Sequence, residues 1–188
     1  LRDRSNVIWI GTKGEGLGKI DRQQNEFHHL INSQSNPGNR EINVVRSIYK
    51  DSEENYWIGT FYDGLFKLKE NENNSFHFTK LEETEKNKIT CIQEDSRKNI
   101  WITYQTYGIC CYSLSEDKFT FRPLDLYTET HNANIIYAFC RDTKNPDLVW
   151  LGSARTGLSK FDLKEKKTID TEVIPEALKR ITIYSLCI

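Results

Sequence analysis

Apolar residues fall in short runs, separated by polar clusters such as DSEEN, KENENN, LSEDK and KNPD. Short apolar runs rich in β-branched and aromatic residues, punctuated by turn formers, predict β-strands. Four kinds of run recur in a fixed order. The first reads VVRSIYKD (44–51), ITCIQED (89–95), IYAFCRD (136–142) and ITIYSLCI (181–188). The second carries a tryptophan: WIGT (9–12), WIGT (57–60), WITY (101–104) and WLGS (150–153). A third opens on Gly-Leu or Gly-Ile, and a fourth is aromatic and looser: EFHHL (26–30), SFHFTKL (75–81), KFTFRPL (118–124) and KTIDTEV (167–173).

The spacing makes this a repeat. Trp9, Trp57, Trp101 and Trp150 are separated by 48, 44 and 49 residues, and each is followed after seven by Gly16, Gly64, Gly108 or Gly157. Asp3, Asp51 and Asp95 precede the first three tryptophans by six residues; Asp142 precedes Trp150 by eight, so that turn carries an insertion. Four antiparallel strands in a unit of about 40–50 residues describe a β-propeller blade. The predicted fold is therefore all-β, a propeller arc of about four four-stranded antiparallel blades belonging to a larger ring. The units run 1–43, 44–88, 89–134 and 135–180, with 181–188 the first strand of a further or closing blade.

Physical chemistry accounts for the constant positions. The middle strands of a blade are covered on both faces, so they read as apolar throughout rather than alternating. A tryptophan there is a large wedge, and burying it is worth roughly 2–3 kcal/mol. The glycine of WIGT permits close backbone approach. The glycine seven residues after each tryptophan suits a positive-φ turn between the second and third strands. The aspartates read as turn formers, accepting nearby backbone N–H groups.

Composition narrows the classes. In 188 residues the formal net charge is −1, and no long basic run appears, which argues against nucleic acid. No stretch approaches the apolar length of a membrane span, so no membrane insertion by this segment is expected. With no methionine anywhere and leucine at position 1, the sequence reads as a piece of a longer protein. Five cysteines at unpatterned spacings suggest neither complete internal pairing nor zinc. Buried free thiols are expected, with no metal and no cofactor. GTKGEGLGK (11–19) looks like a phosphate loop, but Lys13 and Ile20 break the pattern and no helix follows.

VRSIYKDSEENYWIGTFYDGL (45–65) and ITCIQEDSRKNIWITYQTYGI (89–109) resemble the two-component regulator propeller repeat, I-x-x-I-x-x-D-x-x-G-N-x-W-I-G-T-x-x-x-G-L. The glycine before the asparagine is replaced here by Asn6, Glu54 and Lys98, and Thr103-Tyr104 replaces Gly-Thr in the third unit. The resemblance implies the periplasmic sensor region of a bacterial hybrid two-component histidine kinase, with catalysis elsewhere in the parent protein and a glycan fragment as ligand. An oligosaccharide or partner protein and the remaining blades of the parent are the expected partners, and the bare apolar edge of an open arc invites pairing with another chain, as in a homodimer. An interaction scaffold, or a propeller glycosidase or lyase, are the alternatives.

The loops between second and third strands share a face with the long loops between blades at 32–41, 80–88, 123–134 and 172–180. On that face Phe61, Tyr62, Tyr104 and Tyr107 are candidates to stack on sugar rings. Asp63, Gln105 and Arg155 are candidates for directional hydrogen bonds. No nucleophile–base pair stands out, and a carboxylate repeated once per blade is poor evidence for one active site.

Overall fold

The computed structural model describes residues 7–13, 16–21, 26–30, 44–70, 76–81, 84, 88–105, 108–121, 135–154, 156–170 and 174–186. It contains antiparallel β-meanders in two compact units, Leu1–Ile89 and Thr90–Ile188.

In the first unit, β1 (Ile8–Gly11), β2 (Leu17–Asp21) and β3 (Glu26–Leu30) form a three-stranded sheet. The expected first strand of this blade, ending near Asp3, lies outside the described residues. A four-stranded sheet follows, in the order β4 (Val45–Lys50), β5 (Tyr56–Thr60), β6 (Leu65–Glu70), β7 (Phe76–Leu81). Every residue of β5 is buried, the signature of a strand covered on both faces. Between the two sheets, Val7, Trp9 and Leu17 pack against Val45, Tyr56, Ile58, Phe66 and Leu68. The Trp9 and Tyr56 rings lie 4.2 Å apart. Gly11 explains the close fit: a Cβ there would meet Val45 Cγ1 at 2.6 Å. The Val45 N–H donates to Thr12 O at 3.1 Å, joining the sheets through backbone as well.

The second unit repeats the plan with β8 (Ile89–Glu94), β9 (Asn99–Tyr104), β10 (Gly108–Ser113) and β11 (Lys118–Phe121), then β12 (Ile136–Arg141), β13 (Leu148–Ser153), β14 (Gly157–Asp162) and β15 (Lys167–Ile169). Trp101, Ile109 and Cys111 pack against Phe139, Val149, Leu151, Phe161 and Leu163. Trp101 meets Phe161 edge-on at 5.9 Å. Trp9 and Trp101 are thus wedges between sheets, as their spacing predicts. Trp57 is also fully buried. Trp150 departs from expectation, being only half-buried. Its face meets Lys160 Nζ at 4.7 Å.

Residues 181–188, expected as a strand, carry no ladder within the described part, yet Ile183 docks as Val45 does. Its N–H donates to Ser153 O at 3.1 Å, and a Cβ on Gly152 would meet Ile183 Cγ2 at 2.6 Å. This is the Thr12–Val45 contact repeated. The segment takes the first-strand position against the preceding sheet, while Tyr184 stays 71% exposed.

The four glycines after the tryptophans all sit at positive φ, between 73° and 80°. Glu54 and Lys98, which stand where the repeat pattern has glycine, are also left-handed, at 66° and 64°. The pattern's glycine therefore reflects a backbone requirement that this chain meets with strained side-chain-bearing residues.

The aspartates do more than form turns. Asp95 Oδ1 accepts the N–H groups of Arg97 (2.8 Å) and Asn99 (2.9 Å), while Oδ2 accepts the Trp101 indole N–H at 2.9 Å. Asp51 holds Trp57 in the same way at 2.8 Å, and Asp142 holds Trp150 at 3.1 Å. The two-residue insertion before Trp150 is absorbed in the turn, and the carboxylate–indole bond survives it.

Candidate functional site

The residues singled out for binding divide between the two units. In the first, Phe61, Tyr62 and Asp63 occupy the β5–β6 loop, which is fixed at several points. Thr60 Oγ1 donates to Gly64 O at 2.9 Å and accepts the Asp63 N–H at 2.9 Å. The Phe61 N–H donates to Val44 O at 2.9 Å, and the Leu65 N–H to Thr84 Oγ1 at 2.8 Å. Thr12 and Ser153 make the corresponding hydroxyl-to-carbonyl bond to Gly16 and Gly157, both 2.9 Å. The hydroxyl ending WIGT and WLGS is thus the latch of the loop, a role the sequence reading had not assigned.

On this loop Tyr62 is 58% exposed, whereas Phe61 is half-buried with its ring edge-on to Tyr62 at 4.7 Å. Phe61 is not a free stacking face. The Arg46 guanidinium carbon lies 4.7 Å from its ring centroid, and Lys88 Nζ also lies 4.7 Å away. Such cation–π contacts are worth about 0.5–1 kcal/mol each at exposed sites. Neither cation was among the expected site residues. Arg46 comes from β4 and Lys88 from the segment entering β8, so no local pattern could bring them to Phe61. Arg46 also borders a cavity of about 290 Å³ lined by Trp9, Gly11, Val45 and Ile48.

In the second unit, Tyr104 is 4% exposed and ends strand β9. The Cys110 thiol donates to its hydroxyl at 3.1 Å. Burial, followed by the neighbouring Cys110, raises the Tyr104 phenol well above its ordinary value, and burial pushes the Cys110 thiol up as well. Tyr104 is therefore a packing residue in this structure and not the exposed loop-tip platform expected of it. Gln105 is half-buried, and among the described residues no donor reaches its buried Oε1. Buried carbonyl oxygens are nearly always paired, so this acceptor is suited to a ligand hydroxyl. Tyr107 and Arg155 lie outside the described residues, as do most of the long loops between blades.

Among the described residues, Cys91, Cys110, Cys111 and Cys140 are free thiols, and no cluster of three metal-ligating side chains occurs. No described helix is long and apolar enough to cross a membrane.

These sheets, with a latched loop in three of the four, define a β-propeller segment. The two component regulator propeller family model matches residues 40–62, the stretch that runs through β4 and β5 into the Phe61–Tyr62 loop. The resemblance read from the repeat is shown there. No curated protein sequence matches the chain. Among solved structures, the chain is similar to the extracellular domain of the hybrid two component system BT3049 from B. thetaiotaomicron, at 19% identity and a TM-score of 0.65, covering 92% of this chain and 24% of that one. It is similar to the corresponding domain of BT4673 from the same organism, at 17% identity and a TM-score of 0.56, covering 93% and 27%. It is also similar to PorZ, a surface component of the type-IX secretion system of Porphyromonas gingivalis, at 15% identity and a TM-score of 0.71, covering 99% and 29%. At these identities the likeness establishes the propeller fold. The chain spans between 24% and 29% of each of those chains.

Proposed function

We propose that this chain is a ligand-binding part of the extracytoplasmic, periplasmic sensor region of a bacterial two-component receptor. A glycan fragment or partner protein engages the face of the second-to-third-strand loops. Differential affinity for two receptor arrangements then biases a distant histidine kinase, and no catalysis is assigned to the segment itself. One observation carries the reading: the stretch matched by the two component regulator propeller model leads into a loop whose backbone is latched while Tyr62 remains exposed. Preorganised loops bearing exposed aromatics suit ligand capture, because little ordering entropy is lost on binding.

Calorimetric titration of the chain with a panel of oligosaccharides tests it. Binding by some member is expected, with Tyr62→Ala reducing affinity at least tenfold and leaving the melting temperature unchanged. Turnover of an oligosaccharide would instead support the glycosidase or lyase reading. The likeness to PorZ supports an interaction scaffold as the second reading. That reading gains if the chain binds no sugar but forms a defined complex with itself or another protein.

A further inference from the structure

We infer that the Phe61 loop selects ligands carrying an anionic group, the carboxylate or sulfate of an acidic sugar; this rests on the sugar-binding reading of the loop. Arg46 and Lys88 converge on one aromatic ring, each 4.7 Å from its centroid. No ion pair between either cation and a carboxylate is seen among the described residues. Lys13, exposed, is brought to the same edge by its bridge to Val44, whose carbonyl also accepts the Phe61 N–H.

Other cations of the chain meet carboxylates: Lys19 meets Glu70 at 3.1 Å and Lys160 meets Asp142 at 2.8 Å. Two like charges gathered at one ring repel each other, and an anion bound at that edge relieves the repulsion. A guanidinium and an ammonium at one ring offer a planar fork and a point charge, groups that bind carboxylate and sulfate oxygens. The cation–π contacts draw both cations to the Phe61 ring, where Arg46 stays exposed and open to a ligand. Arg46 also borders the cavity of about 290 Å³, near the lower end of small-molecule pocket volumes. The exposed Tyr62 ring, edge-on to Phe61, gives a sugar ring a face to lie on. An acidic peptide would use the charge but would leave this face unused.

The test is calorimetric titration of the whole 188-residue chain with trigalacturonate, a sulfated chondroitin disaccharide, neutral maltotriose and xylotriose, and tetraglutamate. The expected result is binding of one or both acidic sugars at least tenfold tighter than the neutral ones, weakened by raising salt from about 50 to 300 mM. The two acidic arms separate carboxylate from sulfate recognition. Arg46→Gln with Lys88→Gln should lower that affinity at least tenfold without moving the melting temperature. Should the pair unfold the chain, Lys88→Glu alone with the salt series serves the same purpose. Neutral sugars binding as tightly as acidic ones, or retained affinity in the folded charge variants, overturns the inference and leaves the sugar-binding reading standing. Tetraglutamate binding as tightly as the acidic sugars overturns the assignment to sugars. Absence of binding by every sugar overturns both.

Discussion

Removing one acceptor, Asp95, tests whether the carboxylate–indole clasp is a structural keystone of the blade. Asp95 Oδ1 accepts two backbone N–H groups, while Oδ2 accepts Asn99 Nδ2 at 3.0 Å and the Trp101 indole at 2.9 Å. An asparagine has the same shape but can accept at only one end. Either orientation of Asp95→Asn therefore leaves two donors facing an amide N–H₂. A buried donor left unsatisfied costs about 1–3 kcal/mol, so the substitution should destabilise by about 2–4 kcal/mol. Trp101→Phe keeps most of the packing against Phe161 but forfeits a charge-assisted bond, costing about 2–3 kcal/mol. Trp101→Ala should cost about 3–5 kcal/mol, since it also empties space between sheets. Urea unfolding followed by far-UV circular dichroism measures each value, and the double variant Asp95→Asn/Trp101→Phe gives the coupling. A coupling of about 1 kcal/mol or more is expected for residues in direct contact. Additive effects, or an Asp95→Asn cost below about 0.5 kcal/mol, would refute the clasp and return Asp95 to a simple turn former.

Four further outcomes follow. Burial alone would raise the Asp95 carboxyl, but bonds from Trp101, Asn99 and Arg97 outweigh it and hold the group below its ordinary value. A depressed folded value contributes stability above the unfolded carboxylate range, near pH 4, which is lost as pH falls through the folded value; pH-dependent melting should show this slope, reduced in Asp95→Asn. Gly64→Ala places a Cβ at 2.4 Å from Thr84 O on a backbone at φ 80°, and should cost about 2–4 kcal/mol in urea unfolding; a loss under about 1 kcal/mol would contradict the contact. Lys98→Gly relieves a left-handed residue in the turn before Trp101 and should raise stability by about 1 kcal/mol, while a loss would show that the lysine side chain matters more than the backbone. Tyr104→Ala should lower stability by about 3 kcal/mol whereas Tyr62→Ala leaves it unchanged, a contrast that thermal melts resolve directly.

The blade was legible because its constraints are repetitive and local. The interval from Trp101 to Gly108 sets a strand end and a positive-φ glycine, and both are present where the spacing places them. The aspartates were half legible: the turn bonds follow from residue type, while the indole bond lies across six or eight residues and is visible only in three dimensions. The offset of six residues from Asp to Trp shared by the first three units was nevertheless its signal. Tyr104 was misplaced for an avoidable reason. It aligns with Thr60 and Ser153, the latch position ending the second strand, and pairs with Gly108 in the ladder. A bulky phenol cannot make the short hydroxyl-to-carbonyl latch that Thr60 and Ser153 make, so it turns inward to Cys110. Phe61, by contrast, was correctly placed on a loop, but its meaning could not be read locally. What surrounds its ring arrives from one strand before it and from another segment after it. A repeat specifies its scaffold once per period, whereas a binding edge is assembled from the positions where the periods differ. The residues that break the pattern around this loop, Arg46 and Lys88 above all, are therefore where ligand choice should be sought.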